Sequence, residues 1–75
     1  MDVRETLAAN LRHYRRLRGF SQEELAHRAE IDRTYVSLLE RRKYSATIDT
    51  IGKLAAALGI EPDTLLKRPT GAGRP

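Results

Sequence analysis

Apolar residues recur every three or four positions along most of this chain, which is the spacing of an amphipathic helix. Leu7, Leu11 and Tyr14 show this spacing in the first part of the sequence. The same spacing relates an apolar group in the second half, namely Ile48, Ile51, Leu54, Ala55 and Leu58. Because residues three and four apart share one helix face, the pattern predicts an all-α fold with a core along these faces.

Capping and stop signals divide the chain into a series of predicted helices. The first runs over about 3–18, after a predicted capping box formed by Asp2 and Glu5, and it ends at Gly19. The others cover about 22–29, a segment that begins after Asp32, a segment between Thr47 and Gly59, and about 62–67. Serine, threonine and aspartate favour helix starts, whereas glycine readily adopts the left-handed conformation that often follows a helix end. The signals therefore predict five helices.

The two short central helices carry clear start signals. Ser21 followed by Glu24 predicts a capping box, and Phe20 and Leu25 occupy the positions of a hydrophobic staple. Asp32 is the predicted N-cap of the third helix. We therefore expect a pair of short helices, separated by only a few residues.

The third predicted helix has two unlike faces. One face holds Val36, Leu39 and Glu40. The opposite and flanking positions hold Thr34, Ser37, Leu38 and Arg41, with Arg33 at the N-terminal end. Arginine can bind guanine, hydroxyl groups can bond to several bases, and leucine can contact a thymine methyl, so this face suits the DNA major groove. A polar, charged face can also be simply solvated, and the spacing by itself leaves both interpretations open.

Composition narrows the class of protein. The chain has 14 Lys and Arg against 10 Asp and Glu, a net charge of +4 that favours a polyanionic partner. Its 75 residues support one domain with a thin core, which a dimer interface would stabilise. The absence of cysteine excludes disulfides and thiolate metal sites.

The longest apolar run, 54–58, is far shorter than the roughly 20 residues of a membrane span, and the N-terminus lacks a signal peptide's apolar segment. We expect a cytoplasmic protein with no membrane partner.

The sequence does not predict an enzyme. It has no paired carboxylates beside an apolar pocket, no Ser/His/Asp set and no glycine-rich phosphate loop, and we expect neither a cofactor nor a metal. The rival to a DNA-binding protein is a protein-interaction module, such as an antitoxin-like or scaffold helical bundle whose basic face meets an acidic protein. Only the DNA-binding protein would bind a palindromic duplex with an affinity that falls steeply with salt.

Residues 7–66 resemble the helix-turn-helix domain of phage repressors and Cro, the XRE family. The family pattern is matched by Arg15, Gly19, the run SQEELA at 21–26, Ile31, Glu40 and the run LAAALGI at 54–60. Within the family, residues 32–37 most resemble the recognition helices of restriction-modification controller proteins. The resemblance implies a five-helix, lambda-repressor-like DNA-binding domain over 1–67, with the helix-turn-helix at about 21–42.

The resemblance also implies a function and a set of roles. A homodimer would bind a palindromic double-stranded DNA operator through the third helix. We expect base contacts from Arg33, Thr34, Ser37 and Leu38. We expect phosphate contacts from Gln22, Tyr35, Arg41, Lys43 and Tyr44. In the family the arginine at position 15 pairs with the glutamate at position 40, and the C-terminal end often forms the dimer contact. The dimer interface is expected at Ile60, Pro62, Leu65 and Leu66, since a small core does not need all of them.

Likeness to controller proteins further implies binding upstream of the protein's own gene and of an endonuclease gene. Activation at one operator and repression at another would make RNA polymerase a candidate partner. Residues 68–75 are rich in glycine and proline and are predicted to form a flexible tail.

Three positions depart from the family pattern. Glu30 stands where the family commonly has glycine or asparagine, so this turn either carries about 1 kcal/mol of backbone strain or has another shape. Arg42 and Ala46 stand where the family often has glycine and proline, which leaves the end of the third helix less defined and allows it to extend by a residue or two.

Overall fold

The computed structural model describes residues 2–68, which form four α-helices and one short 3-10 helix. These are α1 (Val3–Leu17), α2 (Gln22–Ala29), α3 (Arg33–Glu40), α4 (Ile48–Leu58) and the 3-10 helix Pro62–Leu66. The all-helical expectation is confirmed for this part of the chain, but the prediction of a fifth α-helix is wrong. None of the helices within 2–68 is long and apolar enough to cross a membrane. Most of the predicted tail lies outside the described residues.

Each α-helix begins directly after its predicted N-cap residue, but one of the two predicted capping boxes is incomplete. Asp2 and Glu5 form a complete capping box, and the Glu5 N–H lowers the pKa of the Asp2 carboxyl below its usual value. Ser21 Oγ accepts from the Glu24 N–H at 3.0 Å, but the Glu24 carboxylate accepts from Arg28 Nε at 2.6 Å. The predicted capping box of α2 is therefore only half formed, because the glutamate pairs with a cation one turn along its own helix.

Each α-helix within 2–68 ends in a Schellman motif, in which a left-handed residue lies one or two positions after the last helical residue. Gly19 and Gly59 fill this position after α1 and α4, with φ of 75° and 72°. Glu30 and Arg42 fill it after α2 and α3, with φ of 59° and 61°. The expected extension of α3 is wrong, since the helix ends at Glu40 with a 2.9 Å bond from Lys43 N to Leu38 O. Two charged residues thus carry backbone strain of about 1 kcal/mol each.

The core is built from buried apolar side chains of all four α-helices and the 3-10 helix, and α2 and α3 pack against each other. Its fully buried large side chains are Leu11, Leu25, Val36, Leu39, Leu54, Leu58 and Leu65. α1 contacts α3 and the 3-10 helix, while α4 contacts α2 and the 3-10 helix. This arrangement leaves one side of α3 facing outward.

The 3-10 helix is anchored to α1 by Asn10, which is buried. Asn10 Nδ2 donates to the carbonyl oxygens of Leu65 and Lys67 at 2.8 and 2.7 Å. Leu65 is 0% exposed because it belongs to the core, where the 3-10 helix packs against α1 and α4. The prediction that Leu65 contacts a second subunit is therefore wrong: its side chain has no surface left for a partner.

Candidate nucleic-acid interface

Helix α3 divides into a buried side and an open side. The buried side holds Val36, Leu39 and Glu40. On the open side Arg33 and Thr34 are exposed, and Ser37 and Leu38 are half-buried. Asp32 caps the helix by accepting from the Thr34 N–H at 3.0 Å, which fixes the backbone where Arg33 begins the first turn. The structure thus brings the four residues expected to contact bases onto one accessible surface.

Glu40 anchors the C-terminal end of α3 to the two preceding helices. Arg15 donates from Nε and Nη2 to the two Glu40 oxygens at 2.7 and 3.1 Å. Only 12% of the Arg15 side chain and 3% of the Glu40 side chain are exposed. Arg15 Nη1 also donates to the Phe20 carbonyl at 2.9 Å, and Arg12 donates to the Glu40 carbonyl. The network joins α1, the start of α2 and α3 at one point, and so fixes the direction in which α3 points.

Gln22 belongs to this network. Its Nε2 donates to Glu40 Oε1 at 3.0 Å. Sequence reasoning assigned Gln22 only to a phosphate and missed this contact, because the two residues are 18 positions apart. A carboxamide carries two N–H donors, so one remains for an external acceptor while the other holds α2 to α3.

The segment after α3 is shaped by two tyrosine rings. Tyr35 and Tyr44 pack edge to face with ring centroids 5.5 Å apart, and the Tyr35 hydroxyl donates to the Ser45 carbonyl at 3.4 Å. This pairing holds the loop against α3 and leaves Arg41 and Lys43 exposed on either side of Arg42. The Tyr35 hydroxyl therefore has an internal partner in addition to its predicted phosphate role.

Cationic side chains without an acidic partner in the described part of the chain lie at both ends of α3. The ion pairs found among residues 2–68 use Arg15, Arg28 and Arg42. Arg33, Arg41 and Lys43 have no acidic partner there. Three cations that are free of internal partners give this surface the charge expected for contact with a polyanion.

Comparison with known proteins identifies the fold's family. A helix-turn-helix family model matches residues 11–65, which is most of the chain. A hypothetical transcription factor of Neisseria meningitidis is 47% identical over 68 residues, covering 91% of this chain and 64% of the Neisseria protein. Control protein C.SmaI of Serratia marcescens is 41% identical over 68 residues, covering 91% of this chain and 81% of that protein.

Solved structures agree with the sequence comparison. The crystal structure of the Neisseria transcription factor superposes with a TM-score of 0.89 over 91% of this chain and 78% of that one. The restriction-modification controller protein C.AhdI of Aeromonas hydrophila is 40% identical, with a TM-score of 0.80 over 83% of this chain and 94% of that one. These and other relatives are named as transcription regulators, controller proteins and a phage repressor. The chain belongs to the XRE-type helix-turn-helix family of DNA-binding transcription regulators, and restriction-modification controller proteins are among its relatives.

Proposed function

We propose that this protein is a sequence-specific transcriptional regulator that binds a palindromic operator as a homodimer. Each subunit places α3 in the major groove of one half-site, about one helical turn of DNA from the other. The observation that carries the proposal is the open side of α3, where four side chains suited to base edges lie on a helix fixed by the Glu40 network.

Arg33 is the proposed main base contact. It is exposed in the first turn of α3 and has no acidic partner among residues 2–68, so its guanidinium is available for the two acceptors of guanine. Thr34 and Ser37 offer hydroxyl groups to neighbouring bases, and Leu38 offers an apolar contact to a thymine methyl.

The proposed phosphate contacts flank this helix. Arg41 and Lys43 follow it directly, and Tyr35 and Tyr44 lie beside them. Gln22 would use its second N–H at the start of α2, where oriented backbone N–H groups also favour an anion. Phosphate contacts carry no sequence information, so these residues set the affinity of binding to any duplex.

An apolar groove offers a surface for the second subunit. Its lining combines the apolar side chains of Val3, Leu7, Ala46, Ile51 and Leu66 with Asp2, Arg4 and Ser45. Val3 and Leu66 are 68% and 44% exposed, and Ile48, one turn before Ile51 on α4, is 87% exposed. We propose that a second copy of this chain covers the groove, since the thin core of one subunit leaves these side chains in water. Among the residues predicted for the dimer interface, Leu66 lines this groove. Pro62 is exposed four residues before it, whereas Ile60 packs against the core.

Similarity to C.SmaI and C.AhdI supports a role as a restriction-modification controller. Under this proposal the protein binds upstream of its own gene and of an endonuclease gene, activating at one operator and repressing at another. RNA polymerase is then the partner that the activating complex contacts.

Two arginine variants test the proposed division between base and phosphate contacts. Arg33→Ala should weaken binding to the operator by about 1–3 kcal/mol, or roughly 5- to 150-fold in Kd, with little change on random duplexes. Arg41→Ala is the matched control and should weaken binding to both duplexes equally while flattening the salt dependence. Fluorescence anisotropy over a salt series measures both effects.

Equal losses on both duplexes for Arg33→Ala would reassign that residue to the DNA backbone. If the unaltered protein bound duplex DNA neither tightly nor in a salt-dependent way, the antitoxin-like or scaffold module would replace the regulator.

A further inference from the structure

Arg42 forms an ion pair with Glu5 of α1, whereas its two neighbours, Arg41 and Lys43, are proposed phosphate contacts. Its Nη1 donates to Glu5 Oε2 at 2.9 Å, and both side chains are accessible to solvent. The pair joins residues 37 positions apart. Arg42 lies in the turn that ends α3, with φ of 61°, and its N–H donates to the Leu39 carbonyl oxygen at 3.1 Å. The backbone is thus bonded to α3 while the guanidinium bonds to the first turn of α1.

Glu5 is held in place by its own helix. Its second oxygen, Oε1, accepts from the Asp2 N–H at 3.0 Å in the capping box of α1. One carboxylate oxygen therefore caps α1 while the other receives the arginine. Glu5 lies in an open groove whose lining is otherwise mostly cationic, comprising Asp2, Arg4, Glu5, Arg41, Arg42 and Lys43.

A carboxylate and a phosphate compete for the same arginine donors. Arginine binds both through charge-assisted hydrogen bonds of similar geometry. An exposed ion pair of this kind contributes little to folding stability, so its main effect is on which anion the arginine meets. Glu5 therefore pairs with Arg42 at the protein surface, whereas Arg41 and Lys43 have no acidic partner among residues 2–68.

We propose that Glu5 is an internal competitor for DNA phosphate at Arg42. By occupying this arginine it weakens duplex binding irrespective of base sequence, and so raises the share of the binding energy that comes from base contacts on α3. The proposal rests on the DNA-binding function proposed above and adds a residue, on α1, that limits non-specific binding.

The variant Glu5→Gln tests this directly while preserving the fold. Glutamine keeps a side-chain oxygen for the Asp2 N–H, since capping boxes accept glutamate or glutamine, but it removes the negative charge facing Arg42. One added phosphate contact changes the slope of log K against log salt by about 0.9, which corresponds to about 5- to 10-fold tighter binding near 0.1 M salt. The gain should be the same on operator and random duplexes.

Two controls separate the pair from a general change in charge. Glu61→Gln removes one negative charge at an exposed residue whose side chain makes no capping hydrogen bond, and should change affinity far less. Arg42→Ala should bind almost as the unaltered protein does, and adding Glu5→Gln to it should have no effect beyond that of Glu61→Gln.

A Glu5→Gln affinity equal to that of Glu61→Gln would overturn the proposal. So would weaker binding, which would mean that Glu5 orients Arg42 towards phosphate rather than withholding it. Failure of the unaltered protein to bind any duplex is a separate result: it would refute the proposed function, and this inference with it.

Discussion

Removing the charge of Glu40 should destabilise the fold far more than removing both members of its ion pair. Glu40→Leu leaves the Arg15 guanidinium, 12% exposed, with only the Phe20 carbonyl as a partner. Breaking a buried ion pair in this way costs about 3–5 kcal/mol. A domain of this length has a total stability of about 4–11 kcal/mol, so the single variant should lose at least about a quarter of it and could unfold entirely.

The double variant Arg15→Met, Glu40→Leu should recover most of this loss. It buries no unpaired charge, and apolar replacements of buried pairs are often neutral or stabilising. Gln22 loses its internal acceptor, but it is half-buried and can turn towards solvent. We therefore expect the double variant to lie within about 2 kcal/mol of the unaltered protein, with a coupling energy of about 2 kcal/mol or more between the two sites.

Urea unfolding followed by circular dichroism measures all four free energies of unfolding in this cycle. The matched control is the cycle for Arg28 and Glu24, an exposed pair one turn apart on α2, where the coupling should be about 0.5 kcal/mol or less. Additive losses at Arg15 and Glu40, or equal coupling in the two cycles, would refute the reasoning that burial makes this pair costly to break.

Two further predictions concern strain and assembly. Glu30→Gly should stabilise the protein by about 0.5–1 kcal/mol, because a φ of 59° is strained for glutamate but not for glycine. The midpoint of thermal unfolding should rise by a few degrees, and a lower midpoint would show that Glu30 carries no such backbone strain. Leu66→Glu should convert the proposed dimer to a monomer in sedimentation experiments and should weaken operator binding. The control Leu17→Glu changes another exposed leucine, on α1, and should leave the dimer intact. An unchanged dimer in Leu66→Glu would exclude the groove as the interface.

The starts of the helices could be predicted from sequence because their signals are local. Asp2, Asp32 and Thr47 each bond to a backbone N–H two or three residues ahead, within reach of any pattern search. Gly19 and Gly59 marked helix ends for the same reason. Glu30 and Arg42 did not, since a charged residue enters the left-handed region only when packing of the flanking helices requires it.

The end of the fold was harder to predict because a distant residue determines it. Pro62 and Asp63 are good helix-starting residues, but the five-residue segment forms a 3-10 helix whose carbonyls are bonded by Asn10 of α1. The same contact draws Leu65 into the core. Periodicity alone could not distinguish Leu65, which is buried, from Leu66, which is 44% exposed.

Within the candidate site, the accessible face of α3 could be predicted from its 3.6-residue periodicity. The bonds that join Gln22 to Glu40 and Arg42 to Glu5 could not, because their partners lie 18 and 37 positions apart. Sequence reasoning therefore found the residues proposed to contact bases, but it missed the contacts that hold α3 in place and the carboxylate that neutralises Arg42.

Selection of bound duplexes from a random library is the most direct measurement of whether α3 determines sequence preference. The unaltered protein should enrich a motif with two-fold symmetry and half-sites about one helical turn apart, and Arg33→Ala should lose preference at one base pair of each half-site while keeping the rest. Enrichment of no motif by the unaltered protein, or of the same motif by Arg33→Ala, would contradict the account.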